Sequence, residues 1–262
     1  MRRRSLIQTF GLSAVGFAAT CALPAVAQLR ETDAKRVTVA AASDLKFALT
    51  DLVAQFERET QHRFAVNLGS SGNFAQQIRN GLPVDLFLSA DEEYVFQLAD
   101  VGLTRDRGAL YAIGRIALYV PTKSQLRLDS ELRGLMEQWA GVTKFAIANP
   151  EHAPYGRAAK QALQQLGLWE KVSAKLVMGE NISQATQFVA TGAAQAGITA
   201  LSLAVAPEIA ALGNHVVLPE RLHAPLRQRM VLLKNASSGA WAFYDFLQSS
   251  AAKAVLARYG FR

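Results

Sequence analysis

The chain is poor in the residues that most often carry chemistry. A single cysteine, Cys21, stands in 262 residues, and it lies in an N-terminal segment marked for removal, so the mature chain has neither thiol nor disulfide chemistry. No run of five basic residues occurs beyond that segment, and a nucleic-acid partner is not expected on overall charge alone. The four histidines, His62, His152, His215 and His223, are scattered, with no pair at metal-ligand spacing. Neither Ser43 nor Ser71 sits in the G-x-S-x-G elbow of an α/β hydrolase. No repeat or low-complexity segment is present. No catalytic residue, metal or cofactor is therefore expected. A secreted hydrolase is the alternative of another class, and turnover of an ester substrate would reveal it.

The N-terminus carries an export signal. Arg2, Arg3 and Arg4 precede an apolar stretch from Leu6 to Leu23 and then Ala25-Val26-Ala27, which are the charged region, apolar region and small-residue cleavage site of a signal peptide. Gln8, Thr9, Ser13 and Thr20 interrupt the stretch and Pro24 ends it, which argues against a membrane span. Residues 1–27 are expected to be removed on the way to the periplasm. Arg3-Arg4-Ser5-Leu6-Ile7 fits a twin-arginine signal as well as an ordinary secretory one, so both export routes stay open. Thr20 before Cys21 fits a lipoprotein cleavage site poorly. The segment takes three arginines and no acid from a net charge of +7, leaving +4. The 235 residues that remain can bury two cores of ordinary domain size.

Short β-branched runs alternate with amphipathic stretches, the pattern of α/β units on parallel sheets. Strands are predicted at 37–41, 64–68 and 85–89, with helices over 44–59, 73–79 and 92–99. The apolar run 110–120 reads as one long strand crossing to a second lobe, with Gly114 as a hinge. Beyond it come strands at 145–148, 176–178 and 196–200 and helices over 157–166 and 183–191. The strand at 230–234 and the amphipathic stretch 240–258 have no sheet of their own and are returned to the first lobe. The expected division is a first lobe of 35–113 and 219–262 and a second of 114–218, joined by two crossings that let them close about a hinge. No heptad or strongly apolar surface segment argues for self-association, so a monomer is expected.

The informative positions are the strand-to-helix junctions: Ser43-Asp44, Ser70-Ser71-Gly72, Pro154-Tyr155-Gly156 and Asn181-Ile182-Ser183. Ligands of open α/β sheets bind at the carboxyl ends of strands, where helix N-termini present unpaired N–H groups and partial positive charge to an anion. Serine hydroxyls add rotatable donors. Taken singly, each junction is also an ordinary helix cap. A site of neutral donors without Arg or Lys suits a fully ionised dianion that must be released again.

Ala40-Ala41-Ala42-Ser43, Gly69-Ser70-Ser71-Gly72, Asp85-Leu86-Phe87-Leu88-Ser89-Ala90-Asp91, the loop Asn149–Gly156 and the ending Arg258-Tyr259-Gly260-Phe261 together resemble the periplasmic molybdate-binding proteins of molybdate ABC transporters. The likeness runs in order through nearly all the mature chain. It implies a two-lobe periplasmic binding protein of type II, α/β in class, that captures molybdate or tungstate in the cleft between its lobes and delivers it to a membrane permease. Sulfate or phosphate is the same-class alternative. By the same resemblance Ser43 and Ser71 donate through hydroxyl and amide, and Tyr155 and Ile182 through backbone amide, so loss of the Tyr155 hydroxyl is expected to change little. Some members add a tyrosine hydroxyl where this chain has Ala200, and that donor is missing here. Asp44 also departs from what a dianion favours. Its carboxylate is expected to cap or complement the new helix while only its N–H faces the ligand; the other reading is that it accepts a proton from an anion such as hydrogen phosphate.

Overall fold

The computed structural model describes residues 36–262, so the expected signal peptide, 1–27, lies outside the described residues. Two five-stranded sheets organise the chain. The first holds β1 (Val37–Ala42), β2 (Phe64–Gly69), β3 (Leu86–Ser89), β4 (Ala109–Gly114) and β10 (Leu226–Leu232) in the order β2-β1-β3-β10-β4. The second holds β5 (Ile116–Pro121), β6 (Phe145–Ala148), β7 (Leu176–Gly179), β8 (Ala196–Ala200) and β9 (Gly213–Val217) in the order β7-β6-β8-β5-β9. In each, the strands followed by helices run parallel, β1 with β2 and β3, β6 with β7 and β8. The strand that enters from the other sheet, β10 or β5, is antiparallel to its neighbours. This is the α/β architecture of a two-lobe, type II periplasmic binding protein.

The chain passes from the first sheet to the second between Gly114 and Ile116 and returns between Val217 and Leu226. The run 110–120 is thus two strands rather than one. The break falls at Arg115, whose guanidinium donates from Nε and Nη2 to the carbonyl of Gly260, at 2.9 and 2.7 Å.

The helices are α1 (Lys46–Glu59), α2 (Ser71–Arg79), α3 (Glu92–Asp100), α4 (Arg133–Glu137), α5 (Pro154–Gln165), α6 (Trp169–Ser173), α7 (Ile182–Ala190), α8 (Leu201–Ala204), α9 (Pro207–Ala210), α10 (Ser238–Leu247) and α11 (Ser250–Arg258). Three of them begin earlier than their apolar period indicates. α5 starts at Pro154, because proline's fixed φ and missing N–H suit the first helical position, and α2 and α7 start at Ser71 and Ile182. The stretch 240–258 is two helices, since the Ser249 side chain accepts from the Ala252 amide and starts a second one.

Apolar clusters line both faces of each sheet. Leu45, Leu49, Leu52, Phe56, Phe243 and Leu256 pack on one face of the first, and Phe74, Phe87, Val95 and Leu98 on the other. The main cluster of the second sheet, built on Ile116, Leu118, Phe145, Ile147 and Leu163, continues into Ala42 and Ala90 at the strand ends of the first sheet. Burial is therefore continuous where the two lobes face each other.

Candidate functional site

Both sheets end their parallel strands toward the same cleft, and four junctions meet there. A pocket of about 10 Å³ is lined by Ser43 and Asp44 after β1, Ser70 and Ser71 after β2, Ala90 after β3, Pro154 and Tyr155 at the start of α5, and Asn181 and Ile182 at the start of α7. Ser43, Asp44, Ser71, Tyr155 and Ile182, the five candidates singled out in the sequence, thus converge, and each is at most 3% exposed. No Lys or Arg lines the pocket. Its volume is room for about one water-sized group, far below the range of about 300–1,000 Å³ usual for drug-sized ligands, and the lining suits only a small ion or molecule. Ala200 is fully buried and is not part of the lining.

The donors are set by helix geometry. The first N–H groups of a helix have no intrahelical acceptor, and those of Ser71, Tyr155 and Ile182 occupy that first turn. The neighbouring amides are taken: Gly72 donates to the His152 carbonyl at 3.0 Å and Ser183 to Ser43 Oγ at 3.2 Å. Ser71 Oγ likewise accepts from the Ala90 amide at 2.9 Å. A hydroxyl that accepts an N–H keeps its own proton to donate, so Ser43 and Ser71 each retain one donor for the pocket. Hydroxyl protons, first-turn amides and the positive ends of three helices, α2, α5 and α7, make the site complementary to an anion.

Asp44 complements the helix start as the acid of its first turn, near its own amide and that of Leu45, without serving as its cap residue. It lies in a 3-10 turn, Ser43–Leu45, with no side-chain cap at its start, and its carboxyl reaches across the cleft. Oδ2 accepts from Tyr155 Oη at 2.9 Å and from Gln228 Nε2 at 2.7 Å. Gln228 Nε2 also approaches Tyr155 Oη at 2.9 Å, and Gln228 Oε1 accepts from Tyr111 Oη at 2.7 Å. Oδ1 is buried with no hydrogen-bond partner among the described residues. Burial without a cation pushes the carboxyl up from 3.8 to about 6, against the lowering effect of its bonds to Gln228 and Tyr155. Burial, then the nearby Asp44 charge, raises Tyr155 and Tyr111 well above 10.

The Tyr155 hydroxyl consequently has a task that the resemblance did not give it: it joins the lobes through Asp44. Gly114 leaves room for it, since a Cβ there would stand 2.3 Å from Tyr155 Oη and 2.7 Å from Gln228 Nε2. Tyr155→Phe is expected to cost about 1–3 kcal/mol of stability by stripping a donor from a buried acceptor. Thermal unfolding of the ligand-free protein measures this, and an unchanged Tm would show that the bond contributes nothing.

His152, read from the sequence as a lobe-surface residue, is a contact between lobes. Its carbonyl accepts from Ser70 Oγ and the Gly72 amide, its Nδ1 lies 2.9 Å from Ser70 Oγ, and its Nε2 lies 3.6 Å from Glu180. Gly72 must be glycine for this approach, because a Cβ would stand 2.6 Å from that carbonyl. Arg157 to Asp91 and Tyr94, and Asn73 to Glu180, bridge the same rim. Gln228 and Tyr111 were missed in the sequence. Gln228 alternates with Leu226 and Met230, both buried, so a strand read from 226 instead of 230 would have placed an amide on an apolar face and marked it.

Two sheets with a return strand each, closing a donor-lined anion pocket between them, define a two-lobe solute-binding protein. The chain belongs to the family of bacterial extracellular solute-binding proteins, whose model matches residues 37–262. It is 35% identical to the molybdate-binding protein ModA of Azotobacter vinelandii over 87% of this chain and 90% of that one. Its identity to the molybdate-binding protein ModA of Rhodobacter capsulatus is 33%, over 96% and 95% of the two chains. The solved periplasmic molybdate-binding protein of Azotobacter vinelandii superposes with a TM-score of 0.80 at 31% identity, covering 87% of this chain and 99% of that one.

Proposed function

We propose that this protein captures molybdate, or tungstate, in the periplasm and delivers it to the membrane permease of an ABC transporter, acting as a monomer and without catalysis. The convergence of Ser43, Ser71, Tyr155 and Ile182 on one small pocket without cations carries the reading. Ser43 and Ser71 donate through hydroxyl and amide, Tyr155 and Ile182 through amide, while the first lobe, 35–113 with 219–262, closes on the second, 114–218. Identity to molybdate-binding relatives over most of the chain supports the choice of anion.

Calorimetric titration with molybdate, tungstate, sulfate, phosphate and arsenate tests the assignment. Molybdate and tungstate are expected to bind tightly and the smaller anions weakly. Ser71→Ala removes one donor and is expected to weaken molybdate by about 1–3 kcal/mol, a factor of roughly 5 to 150 in Kd. Tight binding of sulfate or phosphate with none of molybdate would overturn the reading.

A further inference from the structure

We propose that Asp44 takes part in anion capture as a neutral carboxylic acid, its Oδ1 proton donated to the bound oxyanion, so that each dianion captured brings one proton from solution into the cleft. This rests on the pocket being the oxyanion site and adds a donor to it. The geometry assigns opposite roles to the two oxygens. Oδ2 is an acceptor, since Tyr155 Oη and Gln228 Nε2 both point their protons at it. Oδ1 is fully buried and meets no well-aligned donor, the Asp44 and Leu45 amides favouring the charged carboxyl only weakly, and an ionised oxygen so placed forfeits its hydration for little return. Carrying a proton, the same oxygen becomes a donor in want of an acceptor. In a pocket whose other polar groups are amides and hydroxyls, the oxyanion is that acceptor.

No neighbouring charge offers another way to hold Asp44 beside a dianion. Facing it are Tyr155 from α5, Tyr111 and Gln228 from β4 and β10, and Ser202 of α8, whose hydroxyl bonds the Asp44 carbonyl. Arg227 and Arg229, on either side of Gln228, are both spent on Glu92. His152 is engaged with Ser70 and Glu180 on the rim. Two like charges in one dry pocket oppose each other's ionisation, so a bound dianion drives the carboxyl further toward its neutral form. Burial has already raised it to about 6, and the proton is thus taken up on binding at neutral pH and above.

Asparagine is the isostere of the neutral acid: its oxygen accepts from Tyr155 and Gln228, and its Nδ2 donates where the Oδ1 proton did. Titrations of the full protein with molybdate, tungstate and sulfate in buffers of different ionisation enthalpy, at several pH values from about 5 to about 8, count the protons directly. The parent is expected to take up close to one proton per ion near the alkaline end, and its affinity to weaken by roughly tenfold per pH unit above about 6. Asp44→Asn is expected to take up none and to hold, at every pH, the affinity that the parent reaches only in acid. His152→Gln is expected to keep the parent's proton count whatever it does to affinity. No uptake by the parent, or uptake lost in His152→Gln and kept in Asp44→Asn, overturns the inference. Should sulfate bind and molybdate not, the proposed ligand is wrong while the proton count with sulfate still decides the role of Asp44. Should no oxyanion bind, both fail.

Discussion

Molybdate at about a thousand times its dissociation constant is expected to raise the Tm by roughly 8–16 °C, because a ligand confined to the native state then adds about 4 kcal/mol and a chain of this size gains about 2–4 °C for each. Sulfate and phosphate at the same concentration are expected to add little. The donors sit on the first turns of helices anchored to two sheets and on serines whose oxygens are already fixed by the Ala90 and Ser183 amides. They cannot follow a smaller anion inward, and each donor left short of its acceptor costs about 1–3 kcal/mol. Thermal scans with each anion measure the difference. Equal stabilisation by molybdate and sulfate would remove the basis for size selection.

In the absence of ligand, Asp44→Asn is expected to stabilise the protein by up to about 3 kcal/mol near pH 8 and hardly at all below about pH 3. The folded carboxyl titrates at about 6 and its ordinary value is 3.8. Below the lower value both folded and unfolded chains carry the neutral acid, and Asp44 costs nothing. Between the two, only the unfolded chain releases its proton, and stability falls as pH rises until the folded carboxyl also ionises. Asp85, Glu92 and Asp129 are shifted the other way by their bonds to Thr38, to Arg227 and Arg229, and to the Gly134 amide. They lose their contribution in acid in both proteins alike, so the quantity to follow is the gap between parent and variant. A Tm gap that fails to open between about pH 3 and about pH 8 would contradict burial of an ionisable Asp44.

The parallel strands and their helices were legible because β-branched runs and the helical period of Leu45, Leu49, Leu52 and Phe56 are local signals, and these residues are buried as that period implies. The junctions were legible for the same reason: a serine or asparagine between strand and helix is visible without any tertiary contact. Helix starts were misplaced at Pro154, Ser71 and Ile182, where capping rather than apolar spacing sets the first turn. The crossing within 110–120 was legible from the length of the run, but its division into two strands at Arg115 was not, because the apolar neighbours on both sides look alike. The Asp44–Tyr155–Gln228–Tyr111 chain could not be read locally. Its members lie up to 184 residues apart, and a carboxyl at a helix start looks like a cap until the fold shows where it points.

The cluster that runs from the second sheet into Ala42 and Ala90 gives anion capture a thermal signature that the ion itself does not have. The closure we propose buries these alanines together with Ala153 and Ile182 and is expected to release the water on them. Removal of apolar surface lowers the heat capacity, so the heat of capture grows more exothermic with warming even though the cargo is polar in every atom. The solvent thereby does part of the work of holding an ion that offers no greasy surface of its own.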